Sequence, residues 1–236
     1  MVERAPRPPA TSRTLVALII GQICLHSTMT GVRMAAPLQV LRGSHSEWAV
    51  GVLMGLFAAA PVLLALAAGR LADRHGIHRP LRVAVALTMG GGAFAVLASL
   101  WAAHDFVALC IAAALTGAGA NIGLIAILRT AGRTASGATE LRRVFSWLGL
   151  APALSNVAGP VLAGVLIDLS GFSLAFGVLM LLPLLGLWWS RRVPVEPARQ
   201  LLGAAAHAGH APAAAGELAA VGELGRAHLR RAHPWP

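Results

Sequence analysis

Apolar residues run through this chain in six long, nearly uninterrupted blocks, at positions 14–36, 48–68, 83–102, 106–127, 144–167 and 172–189. Each is close to the ~20 residues that a helix needs to cross a hydrocarbon layer about 30 Å thick. Polar residues gather in the short segments between the blocks. The pattern predicts an all-α integral membrane protein with six transmembrane helices, multi-pass and with the lipid bilayer as its surroundings.

The short connections alternate in charge. One set holds Arg4, Arg7 and Arg13, then Arg70, Arg74, Arg79 and Arg82, then Arg129, Arg133, Arg142 and Arg143, and finally Arg191 and Arg192. The other set holds Arg42, with Arg33 near a helix end. Basic loops stay on the cytoplasmic side, so both termini are expected in the cytoplasm. Trp48, Trp101, Trp147, Trp188 and Trp189 fall at block ends, where an amphipathic ring prefers the headgroup zone. The arginines before the first block resemble the start of a signal peptide, but that block is too long and five more follow, so it reads as a retained span. Three regions result: a basic cytoplasmic segment at 1–13, a six-span membrane domain at 14–192, and a cytoplasmic, disordered tail at 193–236.

Composition agrees. Of 236 residues 57% are hydrophobic and 12% charged, about half the charged share of a soluble domain. The net charge of +10 would suit nucleic acid if it were clustered on one surface, but it is spread over the short loops, which excludes that partner. Every fixed positive side chain is arginine and none is lysine, which points to a GC-rich bacterial genome and hence to a bacterial inner membrane. Cys24 and Cys110 lie inside apolar blocks and read as small core residues rather than a disulfide. There is no GxSxG, no HExxH and no pair of acids within the spans, so neither an enzyme nor a metal or other cofactor is expected.

Two motifs echo each other. Gly69, Leu71, Asp73 and Gly76 form a GxLxDxxG pattern, which Gly164, Leu166, Asp168 and Gly171 repeat. Each copy follows the middle span of a three-span unit, and the two fall on opposite membrane faces. That is the arrangement of an inverted three-plus-three repeat, a building plan of transporters.

Polar groups within a span are costly and point to function. In the first span Gln22, His26, Thr30 and Arg33 fall within an arc of roughly 80° on one helix face, as the wall of a cavity would require. His26, near the middle, suits substrate binding or proton uptake, or equally an interhelical hydrogen bond. Arg33 suits snorkelling to the outer edge. Asn121 is the mid-span polar amide nearest position 113 in the fourth span, and Pro160 leaves the carbonyl of Asn156 without its helical donor.

From about residue 14 to 192 the chain resembles the N-terminal six-helix half of a major facilitator superfamily transporter. The loop matches the family's first motif at Gly69, Leu71, Ala72, Asp73, Arg74 and Gly76, and departs at Ile77 and His78, where basic residues are usual. The resemblance implies that Asp73, paired with Arg74 or Arg79, stabilises one access state. Gly159, Pro160 and Gly164 resemble the glycine–proline motif of antiporter-type exporters, with Ala163 replacing one closing glycine. Gly117 and Gly119 match the fourth-span pattern, but Ala113 stands where the family often carries a proton-linked arginine.

The resemblance implies secondary active transport of a small molecule, outward, by alternating access. Gln22, His26, Arg33, Asn121 and Asn156 would line the cavity, while Gly69, Asp73, Arg74, Gly76 and Arg79 gate it. Family members have twelve spans, so a second six-helix half is expected as partner, either another copy or a separate chain. The alternative is a non-transporting membrane protein, either a truncated or frameshifted product or a partner-binding six-helix module.

Overall fold

The computed structural model describes residues 12–75, 77–101, 104–134 and 138–190; the segments at 1–11 and 191–236 lie outside the described residues. Five helices follow one another: α1 (Ser12–Arg42), α2 (Glu47–His75), α3 (His78–Leu100), α4 (Asp105–Thr134) and α5 (Ala138–Ser190). All five are long and apolar enough to cross a membrane, and no strand occurs among the described residues.

Five helices stand where the apolar pattern predicts six spans, because the fifth and sixth blocks are joined in α5. That helix has 53 residues. At 1.5 Å per residue a straight helix of this length would reach about 80 Å, more than twice the hydrocarbon thickness. It is not straight. Gly171, with φ 82° and ψ 179°, leaves the helical region and divides α5 into two arms. The arms run in opposite directions along α1. In the first arm Ser155 and Gly159 meet Thr30, and Gly164 lies beside Met34, so numbering rises on both helices. In the second arm Leu179 accepts a bond from Thr28 and Gly186 packs on Gly21, so one numbering rises as the other falls.

Gly171 occupies a backbone region that side chains with a Cβ rarely enter, although a Cβ there would meet nothing within 4 Å. Space is therefore not the constraint, and conformation is. Gly171→Ala is expected to cost about 1–3 kcal/mol, seen as a lower unfolding midpoint in detergent. An unchanged midpoint would mean that the reversal does not depend on this dihedral.

One end of the bundle collects the α1–α2 turn, the α3–α4 connection and the break in α5. There Arg42 lies 5.1 Å over the ring of Phe172, Ser99 donates to Ser173 at 2.9 Å, and His45 contacts Asp105 at 2.9 Å. The turn itself is closed by backbone bonds from Gly43 to Gln39 and from His45 to Val40. At the opposite end Ala17, Leu18, Ile77, Ile127, Val144 and Leu148 form one buried cluster. The beginning of α1 and the second arm of α5 both reach this end, where Gly21 meets Gly186.

The core is built largely from alanine and glycine, including Ala35, Ala36, Ala112, Ala113, Ala163 and Ala175. Lipid tails are as apolar as leucine, so helices gain little by hiding apolar surface from them. They gain instead by close backbone approach, which small residues permit, and by hydrogen bonds across the contact. Thr28 to Leu179, Thr30 to Ser155 and Gln39 to Ala98 are such bonds, all onto carbonyls of neighbouring helices. Each contributes on the order of 0.6 kcal/mol.

Candidate substrate cavity and gate

The polar face of α1 lies along a seam. Leu25 packs on Gly123 of α4, while Thr30 donates to the Ser155 carbonyl of α5 at 2.8 Å. Helical spacing of 100° per residue sets Gln22, His26 and Arg33 between these two directions. α1 is thus fastened on both flanks, with its polar residues held between. Thr30, which the sequence places in the same stripe, is committed to helix packing.

Gln22 is the most constrained of these groups. Its residue is 1% exposed, and neither its Nε2 nor its Oε1 has a hydrogen-bond partner. A buried, unpartnered amide costs about 1–3 kcal/mol per group, so such groups are rare in folded proteins. The Nδ1 of half-buried His26 and the hydroxyl of Ser27 are also buried and unpartnered. Three neighbouring residues therefore hold unused donors and acceptors on one stretch of α1. Ser27 escaped the sequence reading because a lone serine in an apolar span carries no signal apart from its neighbours.

The other expected cavity residues are placed differently. Asn121 is half-buried and donates to the Pro61 carbonyl of α2 at 3.1 Å. That bond ties α4 to α2. Asn156 is exposed on the first arm of α5, and Arg33 is exposed near the upper part of α1.

At the basic end, Asp73 near the end of α2 receives a bond from Arg129 of α4. Both side chains are partly exposed, at 53% and 40%. The sequence suggested Arg74 or Arg79 from the same loop as partner. Arg79 is exposed, while Gly76 and the side chain of Arg74 lie outside the described residues. Arg129 reads only as one more loop charge, because a separation of 56 residues along the chain hides its proximity. Gly69 has a clear role here: a Cβ on it would sit 3.2 Å from the Arg129 guanidinium, so glycine leaves the arginine room to lie over α2.

The bend motif serves contact. A Cβ on Gly159 would lie 2.5 Å from the Ser27 carbonyl and 2.9 Å from the Gly31 amide, so Gly159 lets α5 and α1 touch backbone to backbone. Pro160 follows at once, half-buried, and Gly164 lies beside Met34. In the repeat loop Asp168 is exposed, three residues before the break at Gly171.

No curated protein matches the chain. The family model described as Major Facilitator Superfamily matches residues 18–232, which takes in all of the described helices beyond the first turns of α1 and runs on past them. With a match over most of its length, this multi-pass chain of apolar helices belongs to the Major Facilitator Superfamily, whose members transport small molecules across membranes.

Proposed function

We propose that the chain forms one six-crossing half of a secondary transporter, an inverted three-plus-three repeat that exports a small molecule by alternating access. The observation that carries the reading is the group of unpartnered polar atoms on Gln22, His26 and Ser27 in a family of transporters. Gln39 Oε1 and His78 Nε2 are unpartnered too, but singly, whereas here both polar atoms of Gln22 and one on each of two neighbours lie on one stretch of α1. A passing substrate, or water in its place, supplies their partners.

The opposed arms of α5 support six crossings. The repeat is supported by contacts that recur at the displacement of 95 residues separating Gly69 from Gly164. Gly69 beside Arg129 matches Gly164 beside Met34; Ala84 beside Gly123 matches Leu179 beside Thr28; Gly91 beside Thr116 matches Gly186 beside Gly21. In each pair both residues move by the same displacement, in opposite senses. The basic end is the cytoplasmic one, in a bacterial inner membrane, by the distribution of arginine.

Transport requires a second six-helix half, because alternating access rocks one bundle against another. The face left for it is on α2 and the first arm of α5. Gly51 and Gly55 of α2, and Gly149 of α5, have no atom within 4 Å of a Cβ position. Leu63 is 80% exposed. Small residues on an outward face suit another helix better than lipid tails. The glycine–proline motif favours export.

The test is uptake or release of labelled amino acids, sugars and organic cations by proteoliposomes of the purified chain, under a pH gradient and then under a voltage. Movement of one class, reduced roughly threefold by Asp73→Asn as the loss of one exposed ion pair permits, is the expected result. No movement of any class under either gradient would sink the reading.

A further inference from the structure

The outer part of α1 carries a charge that the bundle leaves unused. Arg33 is exposed, and among the described residues it has no ion-pair partner. The apolar pattern places it near the end of a span at 14–36, where it could snorkel. The structure carries α1 on to Arg42, nine residues or about 13 Å further. Those residues include buried Ala35, Ala36, Gln39 and Val40, so they belong to the packed helix. The neighbouring helix agrees: Met34 lies beside Gly164, seven residues or about 10 Å before the break at Gly171. Arg33 therefore stands deeper than its side chain reaches from the surface, and its charge needs water or an anion beside it.

Arg33 shares a helix face with Gln22 and His26, eleven and seven residues away, each close to a whole number of turns. That face lies between α4, met by Leu25, and the first arm of α5, met by Thr30. Asn156 borders it from α5. It follows Phe145 by eleven residues, hence on nearly the same face, and the Phe145 ring lies 3.8 Å from the Cβ position of Gly132 in α4. The exposed amide of Asn156 thus turns toward the α4 side of its helix, where the seam is. Its neighbour Ser155 is bonded by Thr30, three residues or about 4.5 Å below Arg33.

The spans around this seam hold no acid. Arg33 is the one residue of fixed charge at 14–41 of α1, and there is none at 106–128 of α4 or at 144–167 of α5. Among the described residues the acids stand at helix ends or near the break, at Glu47, Asp73, Asp105 and Asp168. Asp73 is bonded by Arg129, and Asp105 contacts His45.

We propose that Arg33 receives a carboxylate of the transported molecule, so that the substrate is a small polar organic acid or amino acid and organic cations are refused. The proposal rests on the transport reading above and names its substrate class. A guanidinium matches a carboxylate with two parallel charge-assisted bonds. Half-buried His26 and the Asn156 amide offer neutral donors and acceptors to the rest of the molecule. A cation would face Arg33 with no acid to balance it, at a depth where water screens poorly. No helix within the bundle has to move. Arg33 and Asn156 are exposed as the bundle stands, and access changes when the second half rocks against it.

The experiment has two readouts on the full chain. In native membranes, Asn156→Cys with Cys24→Ser and Cys110→Ser is labelled by an anionic and by a cationic methanethiosulfonate, each rate taken relative to a free thiol. The anionic reagent is expected to react roughly threefold faster, with the preference lost in Arg33→Gln and kept in Arg33→Lys. In mild detergent, the unfolding midpoint of the unsubstituted chain is followed with phenylalanine, 3-phenylpropanoate and 2-phenylethylammonium, and with leucine, 4-methylpentanoate and 3-methylbutylammonium. The carboxylate-bearing members are expected to raise the midpoint and the amines to leave it, and Arg33→Gln to raise the half-maximal concentration about tenfold. A stronger response to the amino acids marks them as the class, and a stronger response to the deaminated acids marks organic acids. A thiol at position 156 that neither reagent reaches means a face turned to lipid and overturns the proposal. Labelling without preference for the anion does the same, as an acid of the second half facing Arg33 would produce. So do equal effects of acids and amines on the midpoint, or none from either. Binding of acids without their transport leaves the site standing and ends the transport reading; transport of an organic cation does the reverse.

Discussion

Gly159→Leu is expected to leave little folded protein, whereas Gly149→Leu on the same helix is tolerated. The two glycines differ in what surrounds them. Around Gly159 a Cβ would meet the Ser27 carbonyl at 2.5 Å and the Gly31 amide at 2.9 Å, with Thr30 closer still. These are backbone atoms of a helix held at several other points, so they cannot turn aside as a side chain would. Overpacking usually costs about 1–3 kcal/mol, and a backbone-to-backbone clash at the central crossing of the fold belongs at or beyond the upper end of that range. Thr30 would also lose its bond to Ser155 as the helices separate. At Gly149 a Cβ meets nothing within 4 Å, and leucine gains up to about 1 kcal/mol in helix propensity. Monodispersity and unfolding midpoint in mild detergent measure both. Equal behaviour of the two variants would mean that α1 and α5 do not touch at Gly159.

Gln22→Leu is expected to do the reverse, holding or raising stability while reducing transport at least about tenfold. The amide is buried, and neither polar atom has a partner. Removing both and keeping the volume relieves a penalty of about 1–3 kcal/mol per unsatisfied group. The comparison within the fold is Gln39, whose Oε1 is also unpartnered but whose Nε2 donates to the Ala98 carbonyl at 2.9 Å. Gln39→Leu removes a bond that joins α1 to α3, and a modest loss of stability is expected. Thermal unfolding of the two variants, with transport of whichever substrate class the proteoliposome panel identifies, gives the answer. A destabilised Gln22→Leu with unchanged transport would make this residue a structural one and would remove the main support for the cavity.

Much of the site was legible because membrane sequences expose it. Gln22 and His26 stand out as polar groups in an apolar run, and their spacing alone puts them on one helix face. Thr30 shares that spacing yet belongs to the packing, since a hydroxyl one turn along can reach a carbonyl on the adjacent helix. The short loop advertised Asp73 but suggested neighbours for it; the described partner, Arg129, comes from another helix. Asn121 likewise read as a cavity group and is found holding Pro61. In each case the sequence marks the side chain as unusual, and the missing information is which helix it faces.

What this sequence determined alone is what depends on the solvent. Bilayer thickness sets block length, and the cost of moving charge through hydrocarbon sets where arginine can stand, so the multi-pass, all-α class and an expected sidedness can be read along one dimension. What only the tertiary structure decided is what depends on approach between distant segments. The reversal of α5 rests on one dihedral at Gly171, and the contact of α1 with α5 on the absence of a Cβ at Gly159. The pairing of Asp73 with Arg129 joins the end of α2 to α4, with the Arg129 guanidinium lying close over Gly69. In lipid no strong hydrophobic force chooses helix neighbours, so the choice falls to short-range packing and single hydrogen bonds, which no pattern along the chain encodes.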